Sequence, residues 1–408
     1  MIRKENCRIE QEKTAMQNFT FYAPTEVIFG KCTELEAGKM IQKYHGTKAL
    51  IVYGNGSVVR SGLLETVNKA LDESGISYAE WGGVQPNPRL SHAQAGVAYA
   101  VKEDVDFILA VGGGSSIDTA KAIAHGAANV GVDLWDIWSK KYTSKKALPV
   151  GVVLTISAAG SEMSDSAVLT NEKQHKKSGL STPLNRPKFA IMNPELTYSL
   201  PKYQIACGVA DIMMHTLERY FIPYQKNRMT DEIAEGLLRT VIDCGRIAVN
   251  DPTNYDAMSE LMWCGSLSHN DLTGLGRAKD FCVHKFGHAL SARFDVAHGA
   301  SLTTMWGDWA NYVCSDDLER FQHYGKAVWG IETEDSQAAA KEAIEKTVAY
   351  FKEIGMPTCL SELGVGILEE QTLKKLSLDA TMGGTIELSQ IRKLNAEDVY
   401  HIFCAANR

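Results

Sequence analysis

Hydrophobic and polar positions divide this chain into two regimes. From Phe19 to about Leu200, short apolar runs alternate with longer stretches whose apolar residues recur every three or four positions. FTFYAPTEVIFG (19–30) is apolar and β-prone, with a proline suited to an edge or a hairpin. KALIVYGNGS (48–57), ISYAEWGG (76–83), DFILAVGGG (106–114), PVGVVLTISAAGSEMS (149–164, running into a loop) and PKFAIMNP (187–194) read as strands, several apolar enough to be buried on both faces. SGLLETVNKALDESG (61–75), SHAQAGVAYAVKED (91–104) and SSIDTAKAIAHGAAN (115–129) read as the helices between them. This rhythm predicts a parallel sheet with helices on its faces. After PELTYSLP the pattern changes: 203–222, 229–249, 254–270, 278–293, 300–314, 316–329, 334–354 and 394–406 all carry helical period. The expected organisation is a lead-in over 1–18, an α/β domain over 19–200 and an all-helical domain over 201–408.

Composition narrows the classes. At 408 residues the chain exceeds the roughly 250–300 that one core usually serves, which agrees with two domains and a cleft between them. A formal charge of −7 argues against a nucleic-acid or anionic-membrane partner. No apolar run approaches the ~20 residues of a membrane span. The opening MIRKENCRIEQEKTA is charged and has no apolar core, so it is expected to be a disordered lead-in rather than a secretory signal, with translation starting at Met1 or Met16. The nine cysteines are scattered without a CxxC, as reduced thiols would be, and point to the cytoplasm.

Candidate chemistry gathers in two places. GGGSSID (112–118) follows the most apolar strand and opens a helix. Its glycines allow close backbone approach and the helix N-terminus offers free N–H groups to a pyrophosphate; as a pattern it is equally a tight turn with an N-cap, and it is not GxGxxG. Gly54, Gly56 and Ser57 form a second glycine turn after a strand, with no acid to hold a ribose and with Arg60 close by, which favours NADPH over NADH. In the helical half, Asp211 and His215 stand one turn apart, as do His284 and His288, with His298 soon after. Neutral imidazoles and a carboxylate suit a divalent first-row metal. On a helical wheel, however, Asp211 and His215 fall beside Gln204 and Glu218, opposite the apolar face, which is also how a solvated face reads. Spacing alone leaves open which of these five are ligands.

Taken together, YGNGSVVRSG, QPNP, AVGGGSSID, AAGSEMS, NPELTYSLP, GVADIMMHTLE, HKFGHALSARFDVAHG and GMPTCLSELG resemble the iron-containing alcohol dehydrogenase family, in its butanol dehydrogenase and broad aldehyde reductase branch, over about residues 19 to 400. The resemblance implies an α/β dinucleotide-binding domain, an all-α domain and reversible hydride transfer between NAD(P)H and an aldehyde. It implies Asp211, His215, His284 and His298 as ligands of a metal, Fe(II) before Zn(II) or another divalent ion. His288 becomes a non-ligand catalytic histidine. Gly112, Gly113, Gly114 and Ser115 take the pyrophosphate, Asp118 ends the motif, and Asn87, Thr155 and Lys173 match coenzyme-contacting positions. A homodimer joined through its N-terminal strands is implied as well. Two positions depart from the family pattern: Ala159 where a threonine is usual, and Asn55 where a middle glycine is usual. Both bear on the coenzyme rather than the reaction. The same architecture resembles dehydroquinate synthase, a metal- and NAD-dependent lyase, and glycerol dehydrogenases. Trp138, Tyr142, Leu267, Phe281 and Cys282 are candidates for the pocket wall or for ordinary core.

Overall fold

The computed structural model describes residues 16–54, 56–223 and 227–408. The lead-in up to residue 15, and Asn55, lie outside the described residues. Eight strands follow in chain order: β1 (Glu26–Phe29), β2 (Lys48–Gly54), β3 (Ser77–Val84), β4 (Phe107–Gly112), β5 (Val150–Leu154), β6 (Ser166–Asn171), β7 (Lys176–Ser181) and β8 (Phe189–Met192). Six of them form one parallel sheet in the order β1-β8-β5-β4-β2-β3. The helices among them are α1 (Ala37–Lys43), α2 (Ser57–Arg60), α3 (Leu63–Glu73), α4 (Leu90–Lys102), α5 (Gly114–Ala128) and α6 (Leu134–Trp138).

Successive side chains of a strand point to opposite faces, and here both faces are covered. Ile51, Leu109, Val111, Val153 and Ile191 pack with Met40 and Ile41 of α1 and Leu64, Val67 and Leu71 of α3. Leu50, Val52, Ile108, Ala110 and Val152 pack with Ile117, Ala120 and Ile123 of α5 on the other side. That is why these strands read as continuous apolar runs instead of alternating ones.

Of the β-prone stretch 19–30, Glu26–Phe29 pairs with β8 as an edge strand. Upstream, Phe19, Phe21 and Tyr22 stand exposed. The antiparallel hairpin β6–β7 was not anticipated, nor was a helix over 370–380. Among the described residues the second half holds the α-helices α7 (Lys202–Tyr220), α8 (Arg228–Ala248), α9 (Tyr255–His269), α10 (Cys282–Phe294), α11 (His298–Val313), α12 (Leu318–Trp329), α13 (Ser336–Glu353), α14 (Glu370–Ala380) and α15 (Ala396–Ala406). Among the described residues no helix is long and apolar enough to cross a membrane.

Candidate metal centre and coenzyme cleft

Asp211 and His215 lie on α7, His284 and His288 on α10, and His298 opens α11. A Cβ on Gly299 would lie 2.2 Å from the Cys207 carbonyl oxygen, so only glycine lets α11 start this close to α7. Asp211 becomes the hub. Its Oδ1 is 3.6 Å from His215 Nδ1, 3.8 Å from His284 Nε2 and 3.8 Å from His298 Nε2. Donor atoms of Asp211, His284 and His298 all lie within 4.8 Å of one another. His215 stands just outside that trio, its ring stacked on His284 with centroids 4.7 Å apart. His288 sits at the rim, 5.7 Å from His298 and 6.3 Å from His284 between ring centroids.

The solvated-face alternative for α7 is overturned. Asp211, His215 and Glu218 are 4%, 4% and 1% exposed. A helical wheel separates a polar face from an apolar one without saying what covers it; here α10 and α11 do. Asp211 Oδ1, His215 Nδ1 and His284 Nε2 are buried without a hydrogen-bond partner. Unpaired buried groups cost about 1–3 kcal/mol each, so acceptors turned toward one carboxylate oxygen fit a divalent cation in their midst. Burial holds His215 and His288 well below the ordinary imidazole value and takes His298 down to about 3, leaving the neutral form that metals bind. His284 moves the other way: against its burial, the charges of Glu218 and Asp211 lift it to about 9.

Three residues of the site went unread in the sequence. Glu218 accepts from His284 Nδ1 and from two backbone N–H groups of α10. His269, at the end of α9, stands edge-on to His215 with ring centroids 4.0 Å apart. Lys177 of β7 donates to Asn87 Oδ1 at 2.9 Å. Burial pushes its ammonium down to about 8, against the pull of Asp118, Asp211 and Asp295. Lys173, by contrast, is exposed in the turn between β6 and β7, away from this contact. The HKK run at 175–177 was the available signal, and it was lost because the hairpin was.

The candidate coenzyme side lies at the carboxyl ends of β2, β4 and β5. After β3 the chain crosses back over β2 to add β4, and such reversals are where doubly wound sheets bind ligands. Gly112, Gly113, Gly114 and Ser115 lead from β4 into α5, whose N-terminus no side chain caps. A Cβ on Gly113 would lie 2.2 Å from Ile156 Cγ2, which presses this turn against the loop after β5. In that loop Thr155 donates its N–H to the Gly112 carbonyl at 3.2 Å. An open N-terminus of a 15-residue helix behind a glycine turn fits a pyrophosphate. Gly54, Gly56 and Ser57 end the neighbouring β2 and begin α2. Asn87, at φ 56°, also donates to Asp295 Oδ1 at 2.9 Å, bridging to the turn between α10 and α11. Asp118 turns inward: it accepts from Ser161 Oγ at 2.7 Å and from the Val168 N–H at 2.8 Å. Of the wall candidates, Phe281 packs edgewise on His284 at 5.4 Å, while Trp138 and Cys282 are buried core and Tyr142 is exposed.

The family described as "Iron-containing alcohol dehydrogenase" matches residues 24–194, and "Fe-containing alcohol dehydrogenase family, C-terminal" matches 204–407. The chain belongs to the iron-containing alcohol dehydrogenase family. Within that family the dehydrogenase is 40% identical over 390 residues to NADH-dependent butanol dehydrogenase A of Clostridium acetobutylicum, covering 95% of this chain and 99% of the relative. It is 35% identical to the NADPH-dependent aldehyde reductase YqhD of Escherichia coli, over 88% of this chain and 93% of that one. Among solved structures, an NADH-dependent butanol dehydrogenase A from Thermotoga maritima superposes with a TM-score of 0.93 at 35% identity, covering 97% of this chain and 100% of the other.

Proposed function

We propose that this dehydrogenase interconverts aldehydes and primary alcohols with NAD(P)H, using a metal held by Asp211, His215, His284 and His298. The observation that carries the reading is the knot of unpartnered buried acceptors around Asp211 Oδ1, in a chain whose glycine turn and helix N-terminus can seat a dinucleotide. When bound, the metal supplies Lewis-acid polarisation of the carbonyl and the nicotinamide supplies the hydride. The protein's own groups do the rest. Gly112 to Ser115 and Thr155 seat the pyrophosphate, and Asn87 with Lys177 borders the cleft, holding the coenzyme close and so removing the cost of a bimolecular encounter. Phe281 covers His284 and keeps water from that side of the centre. Reduction of an aldehyde consumes one hydride and one proton, and neutral His288 relays the proton to the product oxygen by taking it on one ring nitrogen and releasing it from the other.

We take Fe(II) as the metal, the family's namesake; Zn(II) meets the same donor set. We take NADPH as the preferred coenzyme, because β2 ends in glycines with no acid and the Arg60 guanidinium reaches to 3.2 Å of where a Gly56 Cβ would stand. We take a homodimer as the assembly, because Phe29 on the edge strand β1 and Phe19, Phe21 and Tyr22 in the segment leading to it are exposed. All eight cysteines among the described residues are free, which suits a reducing cytoplasm. The test pairs elemental analysis with coenzyme oxidation on a butanal series. Net oxidation, faster with NADPH, is expected. Full metal loading with no net oxidation by any aldehyde would point to a lyase.

A further inference from the structure

We infer that Glu218 is a positioning residue of the metal centre: it presents His284 with Nε2 turned to Asp211, and it locks the helix carrying His284 onto the helix carrying Asp211 and His215. The inference rests on the metal-centre reading above. Those helices, α7 and α10, bring together groups 66 residues apart in the chain. Glu218 lies two turns beyond Asp211 on the same face of α7. At the start of α10, Phe281 caps nothing with its side chain, and the first N–H groups of a helix need acceptors from elsewhere. Glu218 Oε1 accepts the N–H of Val283 at 2.6 Å and that of His284 at 3.2 Å. Its Oε2 takes His284 Nδ1. An imidazole whose Nδ1–H is engaged in this way has only Nε2 left to coordinate, and that atom lies 3.8 Å from Asp211 Oδ1. The neighbouring carboxylate, Asp280, is spent on the N–H groups of Cys282 at 2.9 Å and Gln390 at 2.7 Å, so it does not share the task. At 1% exposure Glu218 meets no competing solvent.

Both carboxylate oxygens are in use, which makes glutamine an informative replacement. One amide oxygen can serve the helix start or the imidazole, and an amide N–H turned to Nδ1 demands the tautomer that places hydrogen on Nε2. The experiment titrates Co(II) into full-length apoprotein against a chelating indicator, for wild type, E218Q, H284A and E218Q/H284A. Expected is a loss of about 10–100-fold in Co(II) affinity for E218Q. With His284 gone, E218Q should cost nothing further, because the two act as one unit. Wild-type affinity in E218Q overturns the inference, as does a double variant weaker than H284A by the full factor seen in E218Q alone. Equal Co(II) binding by H284A and wild type overturns the metal-centre reading itself, and this inference with it. E218D keeps both oxygens and shortens the reach by one methylene; it runs through the same cycle and reports the same coupling if E218Q does not fold.

Discussion

At the scale of residues, five polar side chains meet within a few ångströms, and the proposed mechanism gives them different tasks. Distance to Asp211 Oδ1 separates them: His215, His284 and His298 each present a ring nitrogen at 3.6–3.8 Å, whereas His288 is placed only by its ring contacts with His284 and His298. In the proposed reaction His288→Ala therefore keeps wild-type metal content and loses roughly 10²–10⁴-fold in kcat, the usual worth of a proton-transfer group. Metal content and steady-state rates from one preparation decide it, and loss of metal would instead make His288 a ligand. The residues singled out from the sequence do converge on one centre; i,i+4 spacing accounts for the pairs Asp211/His215 and His284/His288, and the packing of three helices brings the pairs and His298 together. What spacing could not supply was the burial of α7 or the partnership of Glu218, since each depends on what packs across the helix rather than along it.

At the scale of elements, α5 is tied to the cofactor-side loop by one buried lysine. Lys121 Nζ donates to the Ser161 carbonyl at 2.7 Å, to Ser161 Oγ at 2.9 Å and to the Ser166 carbonyl at 2.7 Å. Burial, against the pull of Asp118, Glu162 and Asp165, brings its ammonium down to about 8 from an ordinary value of 10.5. Between those two values the unfolded chain binds the proton and the folded one does not, so stability from this group rises with pH through that window. Relative to K121M, the wild type should gain on the order of 2 kcal/mol between pH 7.5 and 9.5 in urea unfolding. A constant gap across that range would mean that Lys121 keeps its proton when folded. The strands at 48–54, 107–112, 150–154 and 189–192 were legible because burial on both faces writes them as unbroken apolar runs. The β6–β7 hairpin was not, since KKSGLS is half-buried and mostly polar, and SAVLTN alternates in burial without alternating in residue type. The helix over 370–380 was hidden by a sequence in which few residues are buried: Leu373, Leu376, Ser377 and Ala380.

At the scale of the whole molecule, the proposed metal donors come from the helical half and the proposed pyrophosphate turn from the sheet, with Asn87, Lys177 and Asp295 joining the two. One sheet edge is β1; Phe19 and Tyr22 in the segment leading to it and Phe29 on it are 53%, 56% and 40% exposed. If these are the dimer contact, F19S/Y22S should sediment as a monomer where the wild type sediments as a dimer, with metal content unchanged; a monomeric wild type would remove the contact. The sheet order has a further consequence, for synthesis. Glu26 pairs with Phe189, so among the described strands the first to be translated docks on the last. At about 5–20 residues per second the ribosome needs on the order of ten seconds to make the chain between them. Throughout that interval Val27 and Ile28 wait without the strand whose ladder they join, and the aromatic residues just ahead of them travel with the nascent chain.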